Sequence, residues 1–260
     1  KGDSTGKEFI SFSNALSSGK ISVKEIISPE GSDVGMLLMK NHSKKDVLLQ
    51  SGEMVTGGKQ DRVFAETQII PASSGDNYVK VFCAEKGRWD DKPKTFSYAG
   101  TADAELRKVI HTKRRQNAIW KEIEKRYQEQ GKKSPTWPYA DLYKNAGKDD
   151  SSYINFFKNK YKQSDSCFAG FVSITGDKII NCELFGSSDY CSVSFESLVQ
   201  SYIRIVADTG SAVPAVSKDK VQQFLDRFLQ SVQQQKEYLE KNGQQDKYMG
   251  KLIHVVAYDE

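Results

Sequence analysis

Short hydrophobic runs separated by turn residues dominate the chain from about residue 20 to residue 90. Apolar and polar positions alternate within these runs, as is typical of strands. Breakers such as "NHSKK", "TGGKQ" and "PASSGDN" separate the runs. The connections are too short for crossover helices, so the pattern predicts antiparallel pairing. The five predicted strands are "ISVKEII", "VGMLLMK", "DVLLQ", "RVFAETQII" and "YVKVFCAE".

The pattern changes to a helical period after residue 102 and predicts one long helix near 103–130, with Gly131 as its stop. Two shorter helices, two strands, two more helices and a final strand are then predicted in separate groups to the end of the chain. Segregated strands and helices of this kind indicate an α+β fold with mainly antiparallel sheets, the long helix and several further helices. We expect residues 1–20 to form a flexible N-terminal segment and residues 21–260 to form a single α+β domain, because no clear linker divides them.

The composition is that of a globular protein and argues against a membrane protein or a nucleic-acid-binding protein. Hydrophobic residues make up 38% and charged residues 28% of the 260 positions, which is typical of a globular chain. No run approaches the roughly 20 apolar residues that a membrane span needs. The net charge of +4, from 38 basic and 34 acidic residues, is too small to argue for nucleic-acid binding.

The four cysteines and three histidines lack the spacing of a zinc site, so neither a metal nor a cofactor is expected. A hairpin turning at Gly176 and Asp177 predicts that Cys182 lies opposite Phe171 and not opposite Cys167. We therefore expect the cysteines to be reduced and mostly buried.

The stretch "VFCAEKGRWD" is the first candidate for chemistry. Because alternate strand residues share a face, Val81 and Cys83 lead to Glu85 on one side of the strand. Arg88 can fold back towards this carboxylate, and Trp89 adds a flat apolar surface. Together they could bind a polar ring or an anion-bearing ligand, with Glu85 as the candidate acid/base. The competing interpretation is a structural ion pair at a sheet edge.

Two further features are candidates for binding. The Gly57-Gly58 turn could cradle an anion with its backbone N–H groups, and Lys59 and Arg62 add positive charge; a plain hairpin is the alternative. The apolar stripe of the long helix is interrupted by polar residues beside Trp120, which either point into a cavity or form a solvated basic patch. These interrupting residues are Lys113, Gln116 and Asn117.

These motifs resemble the ARG and rhodanese-phosphatase superfamily-associated protein domain, in which ARG stands for ADP-ribosylglycohydrolase. The similar pieces keep their order between about residues 34 and 210: "LLQSGEMVTGGKQDRV", "VFCAEKGRW", "LRKVI…QNAIW" and "GFVSITGDKIINCELFGS". The resemblance implies an α+β domain and, through the company in the family name, an ADP-ribose or nucleotide-derived ligand. It supplies no catalytic residues. The matching positions are Gly58, Lys59, Gln60, Arg62, Glu85, Arg88, Trp89, Gln116 and Trp120.

Two functions compete on these residues. The first is binding or processing of an ADP-ribose-like or other phosphate-bearing nucleotide, with Lys59 and Arg62 on the phosphates and Trp89 or Trp120 on the base. We expect Glu85 and Arg88 to converge on one concave site with Arg62 or Lys59 and with Trp120 of the long helix. The second is a non-catalytic binding or scaffold protein in which the motifs are turns and ion pairs. The "KGDS" amino terminus favours a processed bacterial protein that is exported, with a cytoplasmic location as the alternative.

Overall fold

A computed structural model of the chain describes residues 3–28, 31–90, 95–143, 150–163, 168–209 and 213–259. The strands are β1 (Phe9–Ser11), β2 (Ile21–Ser28), β3 (Gly31–Asn41), β4 (Asp46–Leu49), β5 (Glu53–Thr56), β6 (Arg62–Phe64), β7 (Gln68–Ile70), β8 (Asn77–Cys83), β9 (Ser97–Thr101), β10 (Gly170–Thr175), β11 (Lys178–Phe185), β12 (Gly243–Tyr248) and β13 (Lys251–Tyr258). The helices are α1 (Phe12–Ser17), α2 (Ala104–Lys113), α3 (Gln116–Glu129), α4 (Asp150–Gln163), α5 (Ser188–Thr209), α6 (Lys218–Phe228) and α7 (Val232–Asn242), with a 3-10 helix at Tyr139–Leu142.

The strands form three sheets, and the α+β prediction with mainly antiparallel pairing is confirmed. The largest sheet has six strands in the order β2-β3-β8-β6-β5-β9, all paired antiparallel. A four-stranded antiparallel sheet has the order β10-β11-β13-β12. In the three-stranded sheet β1-β4-β7, the β1–β4 pair is parallel. Within the described residues, no helix combines the length and the apolar character needed to cross a membrane.

One predicted strand, "RVFAETQII", divides into two. Its first part, β6, pairs with β5 and β8, whereas its last part, β7, pairs with β4 in another sheet. Thr67 lies between them, and its N–H donates to Asp246 at 3.0 Å while its hydroxyl accepts from the N–H of Ser51 at 3.1 Å. These long-range bonds satisfy backbone groups that a continuous strand would have paired with a neighbouring strand.

The helical region predicted near 103–130 consists of two helices. α2 ends at Lys113, and Arg114 adopts the left-handed conformation with φ of 52° before α3 begins at Gln116. The guanidinium of Arg114 donates to the carbonyls of His111 and Gly243, each at 2.9 Å. The second of these bonds links the break to β12. "HTKRRQN" contains neither Gly nor Pro, so the local sequence lacks the usual signal for a break.

The predicted register of the β10–β11 hairpin is wrong by one residue beyond its turn. Cys182 pairs with Val172 and Glu183 pairs with Phe171, because β11 accommodates Ile180 as an extra residue where the register shifts. Cys83, Cys182 and Cys191 are buried free thiols. Cys167 lies outside the described residues, so its predicted separation from Cys182 stays a prediction.

Part of the amino-terminal segment belongs to the hydrophobic core. Residues 9–17 form β1 and α1, although we expected flexibility throughout 1–20. Phe12 and Ala15 are fully buried, and the ring of Phe12 contacts Phe64 with centroids 5.0 Å apart. The division of the chain at residue 20 stays a prediction, but residues 9–17 are anchored by this apolar burial.

We expect Phe12→Ala to lower the free energy of unfolding by about 3–5 kcal/mol, because it removes a fully buried ring from a packed core. Ser17→Ala, at an exposed position of the same helix, should change it by less than about 0.5 kcal/mol. Urea unfolding followed by circular dichroism measures both. Equal effects of the two substitutions would mean that α1 does not stabilise the fold.

Candidate functional site

Glu85 and Arg88 form the ion pair that the sequence suggested, at the end of β8. The Nε of Arg88 donates to Glu85 at 2.8 Å, and its Nη2 lies 3.1 Å from the carboxylate of Asp61. The same guanidinium donates to the carbonyls of Gly58 at 2.6 Å and Gly57 at 3.4 Å. Arg88 therefore fastens the loop after β8 to the Gly-Gly turn, and all of its guanidinium nitrogens are bound by the chain.

The Gly57-Gly58 turn does bind anionic groups, but these belong to the protein. The N–H of Gly57 donates to Asp61 at 3.1 Å, and the N–H of Lys59 donates to Glu25 at 3.1 Å. Both glycines have positive φ, 124° and 57°, which disfavours other residues at these positions. A phosphate could reach these two amide groups only by displacing Asp61 and Glu25.

Gln60 and Arg62 lie inside the fold. Arg62 is fully buried, with its Nη2 3.3 Å from Glu25, and its Nη1 donates to the carbonyl of Gln60 at 2.8 Å. Gln60 is itself buried. The positive charge of Arg62 thus neutralises the Glu25 carboxylate of β2 in the interior, although β3 and β8 lie between β2 and β6 in the sheet order.

Asp61 is the member of this cluster that the sequence analysis missed. Burial raises its pKa to about 6, and the nearby carboxylates of Glu85 and Asp141 add to this, while the Gly57 N–H and Arg88 oppose it. Its only sequence signal is its place beside Arg62 in "GGKQDR". With this pKa, Asp61 can change its protonation state near pH 6.

Trp89 is the exposed side chain next to this ion cluster. Its side chain is 56% exposed, and the ammonium group of Lys59 lies 5.6 Å from its ring centroid. A similar pair lies nearby in sequence, with Lys86 at 5.2 Å from the ring of Trp137. The ion pairs of Arg88 hold the residue before Trp89, so this indole extends from a rigid base.

Gln116, one of the predicted helix residues, forms hydrogen bonds with β8. The side-chain amide of Gln116 accepts from the N–H of Cys83 at 2.8 Å and donates to its carbonyl at 2.9 Å. Gln116 therefore attaches the start of α3 to the backbone of Cys83, which lies two residues before Glu85 in the sequence. Lys113 is exposed, and Trp120 is half-buried with an indole N–H that has no hydrogen-bond partner among the described residues. A single concave site that includes Trp120 stays a prediction.

A second polar cluster, which the sequence did not reveal, is completely buried. Arg107 of α2 contacts Glu183 of β11 at 2.8 Å, and the other carboxylate oxygen of Glu183 binds His254 of β13. All three side chains have no exposed surface. Tyr202 of α5 also binds both Arg107 and Glu183. Because unpaired buried charges are costly, these groups persist by satisfying one another.

His254 extends this cluster towards the first sheet. Its Nδ1 lies 3.1 Å from the hydroxyl of Thr67 and 3.8 Å from Asp246. Burial disfavours the imidazolium, but the carboxylates of Glu183 and Asp246 outweigh it and raise the pKa of His254. Burial also disfavours the Glu183 carboxylate, but Arg107 and His254 outweigh it and hold its pKa well below the usual range.

Thr67, His254 and Glu183 have the order hydroxyl, imidazole and carboxylate that nucleophilic enzymes use. Thr67 is only 2% exposed, so its hydroxyl lacks access to substrate, and the raised pKa of His254 disfavours the neutral imidazole that a general base requires. His111 likewise bridges the hydroxyls of Ser51 and Tyr258 at 2.7 and 2.8 Å inside the core. We conclude that this cluster clamps α2, β11 and β13 together.

Glu53 lies close to this buried cluster. Its carboxylate accepts from the N–H of Gln50 at 2.8 Å and from the hydroxyl of Tyr98 at 3.2 Å. Burial raises the pKa of Glu53 to about 7 in spite of these bonds and the charge of Arg107. Among the described residues, no group of three or more His, Cys, Asp or Glu side chains is arranged to hold a metal ion.

Comparison with known proteins gives one match. The family model ARPP-1, described as the ARG and Rhodanese-Phosphatase-superfamily-associated Protein domain, matches residues 1–257. No curated protein and no solved structure matches the chain. The matched region contains both polar clusters and the exposed Trp89.

We expect Arg107→Leu to lower the free energy of unfolding at pH 7 by about 3–5 kcal/mol, because it leaves the Glu183 carboxylate buried without its main counter-charge. Arg227→Leu is the matched control, since Arg227 pairs with Asp259 at the surface and should cost less than about 1 kcal/mol. Urea unfolding measures both. A cost for Arg107→Leu no larger than that of the control would contradict the role of the clamp.

Glu53 should make stability fall as pH rises. Its folded-state pKa of about 7 lies above its ordinary value of 4.5, so the folded protein binds the proton more tightly between these pH values. Stability therefore decreases from about pH 4.5 to about pH 7 and is level above that. We expect Glu53→Gln to remove this decrease and to stabilise the protein at pH 8 by about 1–3 kcal/mol.

In this variant the Gln carbonyl can accept from the N–H of Gln50, and its amide can donate to the hydroxyl of Tyr98. Unfolding in urea at several pH values between 4.5 and 8 measures the slope. Glu66→Gln is the control, because Glu66 forms a surface pair with Lys80. An unchanged slope in Glu53→Gln would refute the assignment.

Proposed function

Because this chain belongs to the ARG and rhodanese-phosphatase-superfamily-associated protein domain family, we propose that it binds an ADP-ribose-like or other phosphate-bearing nucleotide. The proposed contact surface consists of Trp89 and Lys59. The family description supports this class of ligand only because its name associates the domain with ADP-ribosylglycohydrolases. The surface chemistry supports it independently.

The observation that carries the proposal is the exposed Trp89 with Lys59 against its ring. An exposed indole offers a face on which a nucleobase can stack, which is worth about 1–3 kcal/mol per base in single-stranded nucleic-acid complexes. An adjacent ammonium group supplies the positive charge that a phosphate requires. The two side chains together match the two parts of a nucleotide.

Glu85 and Arg88 have a positioning role in this proposal. Arg88 is bound by Glu85, Asp61 and the Gly-Gly turn, so the loop that carries Trp89 loses little conformational freedom on binding. Gln116 supports the same loop through the backbone of Cys83. In this proposal the ligand contacts the loop that Arg88 and Gln116 hold in place. Glu85 supports this loop and does not act as an acid/base.

A scaffold protein without a small-molecule ligand is the second candidate function. It is favoured by the occupation of the Gly57 and Lys59 amide groups and the Arg88 guanidinium by groups of the chain itself. Under this alternative, Trp89 and Lys59 would be a surface pair without a nucleotide ligand.

We expect isothermal titration calorimetry to detect binding of ADP-ribose or AMP to the wild-type chain. Trp89→Ala should weaken this binding at least tenfold, or about 1.4 kcal/mol, through loss of stacking. Lys59→Ala should weaken binding of both nucleotides but should not affect an uncharged nucleoside such as adenosine. Lys86→Ala is the matched control, because Lys86 also lies over a tryptophan ring.

The scaffold alternative gives a different result. Neither nucleotide nor inorganic phosphate would bind, or Trp89→Ala and Lys86→Ala would leave the affinity equal. Circular dichroism of each variant separates loss of binding from loss of folding.

A further inference from the structure

A cavity of about 330 Å³ lies where β1, α1, β9 and α5 meet. Its polar walls come from the amino-terminal strand and helix on one side and from successive turns of α5 on the other. The uncharged polar side chains that line it are Ser11, Ser13, Asn14, Ser192, Ser197 and Gln200. None of the residues that line it belongs to the Trp89 surface or to the buried clusters.

The charge of this cavity disfavours a phosphate-bearing ligand. Glu196 is the only charged residue among the described residues that line it, and its carboxylate binds Lys158 at 2.8 Å. A phosphate group would meet this carboxylate and no basic side chain of the lining. Electrostatics therefore favours a neutral ligand.

The polar groups of the lining are suited to hydroxyl groups. The hydroxyls of Ser11 and Ser13 lie 3.1 Å apart, and each can donate and accept. The side-chain amides of Asn14 and Gln200 form no hydrogen bond with any other described residue, so each offers both donors and an acceptor. Such groups match a ligand that carries several hydroxyls.

Aromatic side chains supply part of the apolar wall, beside Ile10 and Val193. Phe9 and Tyr98 both line the cavity. The hydroxyl of Tyr98 donates to Glu53 at 3.2 Å, and its ring contacts Phe12 with centroids 6.1 Å apart, so its orientation is fixed from behind. An aromatic ring beside uncharged donors and acceptors matches the C–H faces and hydroxyl edges of a sugar.

We infer that this cavity binds a neutral polyhydroxylated compound of the size of a single sugar ring. Its volume is at the lower end of the range of about 300–1,000 Å³ for small-molecule sites, which suits one ring but not a dinucleotide. This site is separate from the proposed nucleotide surface in residues and in charge. It stands if that proposal fails.

Saturation-transfer difference NMR with D-ribose, D-glucose and myo-inositol tests the inference. At least one probe should bind the wild-type chain, and its Kd should rise at least tenfold in Gln200→Leu, which keeps the bulk of the side chain but removes its amide. Asn14→Leu is the second variant, at an exposed position that tolerates substitution. Gln235→Leu, on a half-buried glutamine of α7, is the control and should bind as the wild type does.

Three results would overturn the inference. They are the absence of binding by every probe, equal binding by the wild type, Gln200→Leu and Asn14→Leu, and competition between the bound probe and inorganic phosphate. Trp89→Ala should leave sugar binding unchanged. Failure of the nucleotide proposal therefore appears only in the Trp89 and Lys59 variants, and failure of this inference appears only in those of Asn14 and Gln200.

Discussion

The arrangement of the sheets and helices depends on the ion pairs that the Glu183 carboxylate forms. This carboxylate is fully buried in β11 and binds Arg107 of α2 and His254 of β13, and all three side chains lack exposed surface. A charge in this position is tolerated only while both partners stay in place. The pairing therefore specifies how α2 packs on the four-stranded sheet more sharply than apolar contact alone would. Thr67 and Asp246 then continue the hydrogen bonds towards the chain between β6 and β7.

The smaller ion cluster at the end of β8 has a related but more local role. Arg88 binds the carboxylates of Glu85 and Asp61 as well as the carbonyls of Gly57 and Gly58, and it thereby joins the loop after β8 to the Gly-Gly turn. The exposed Trp89 follows Arg88 directly in the sequence. The bonds of Arg88 inside the fold therefore restrict the backbone that carries this surface side chain. Polar residues that look catalytic in the sequence thus hold the loop that carries an exposed aromatic side chain.

The polar regions of the fold also differ in how far they are exposed to solvent. The Thr67–His254–Glu183 array has the order of a catalytic triad but is enclosed by protein. Among the described residues, the Trp89 side chain is exposed to solvent, and a cavity lies between α1 and α5. One carries an aromatic face beside a cation, and the other is lined by uncharged hydroxyls and amides. Burial and charge, more than residue type, separate structural groups from candidate binding groups here.

The sequence by itself determined the α+β class, the strand-rich first half and the Glu85–Arg88 pair, because these depend on local periodicity and on residues three positions apart. The tertiary structure alone decided the break at Arg114 and the bulge that places Glu183 opposite Phe171. It also decided the meeting of Arg107, Glu183 and His254. These features arise from contacts between residues that are distant along the chain, and no local pattern records them. They are stabilised by the pairing of buried charges and buried backbone groups, which offsets the cost of removing them from water and which only the packed chain can provide.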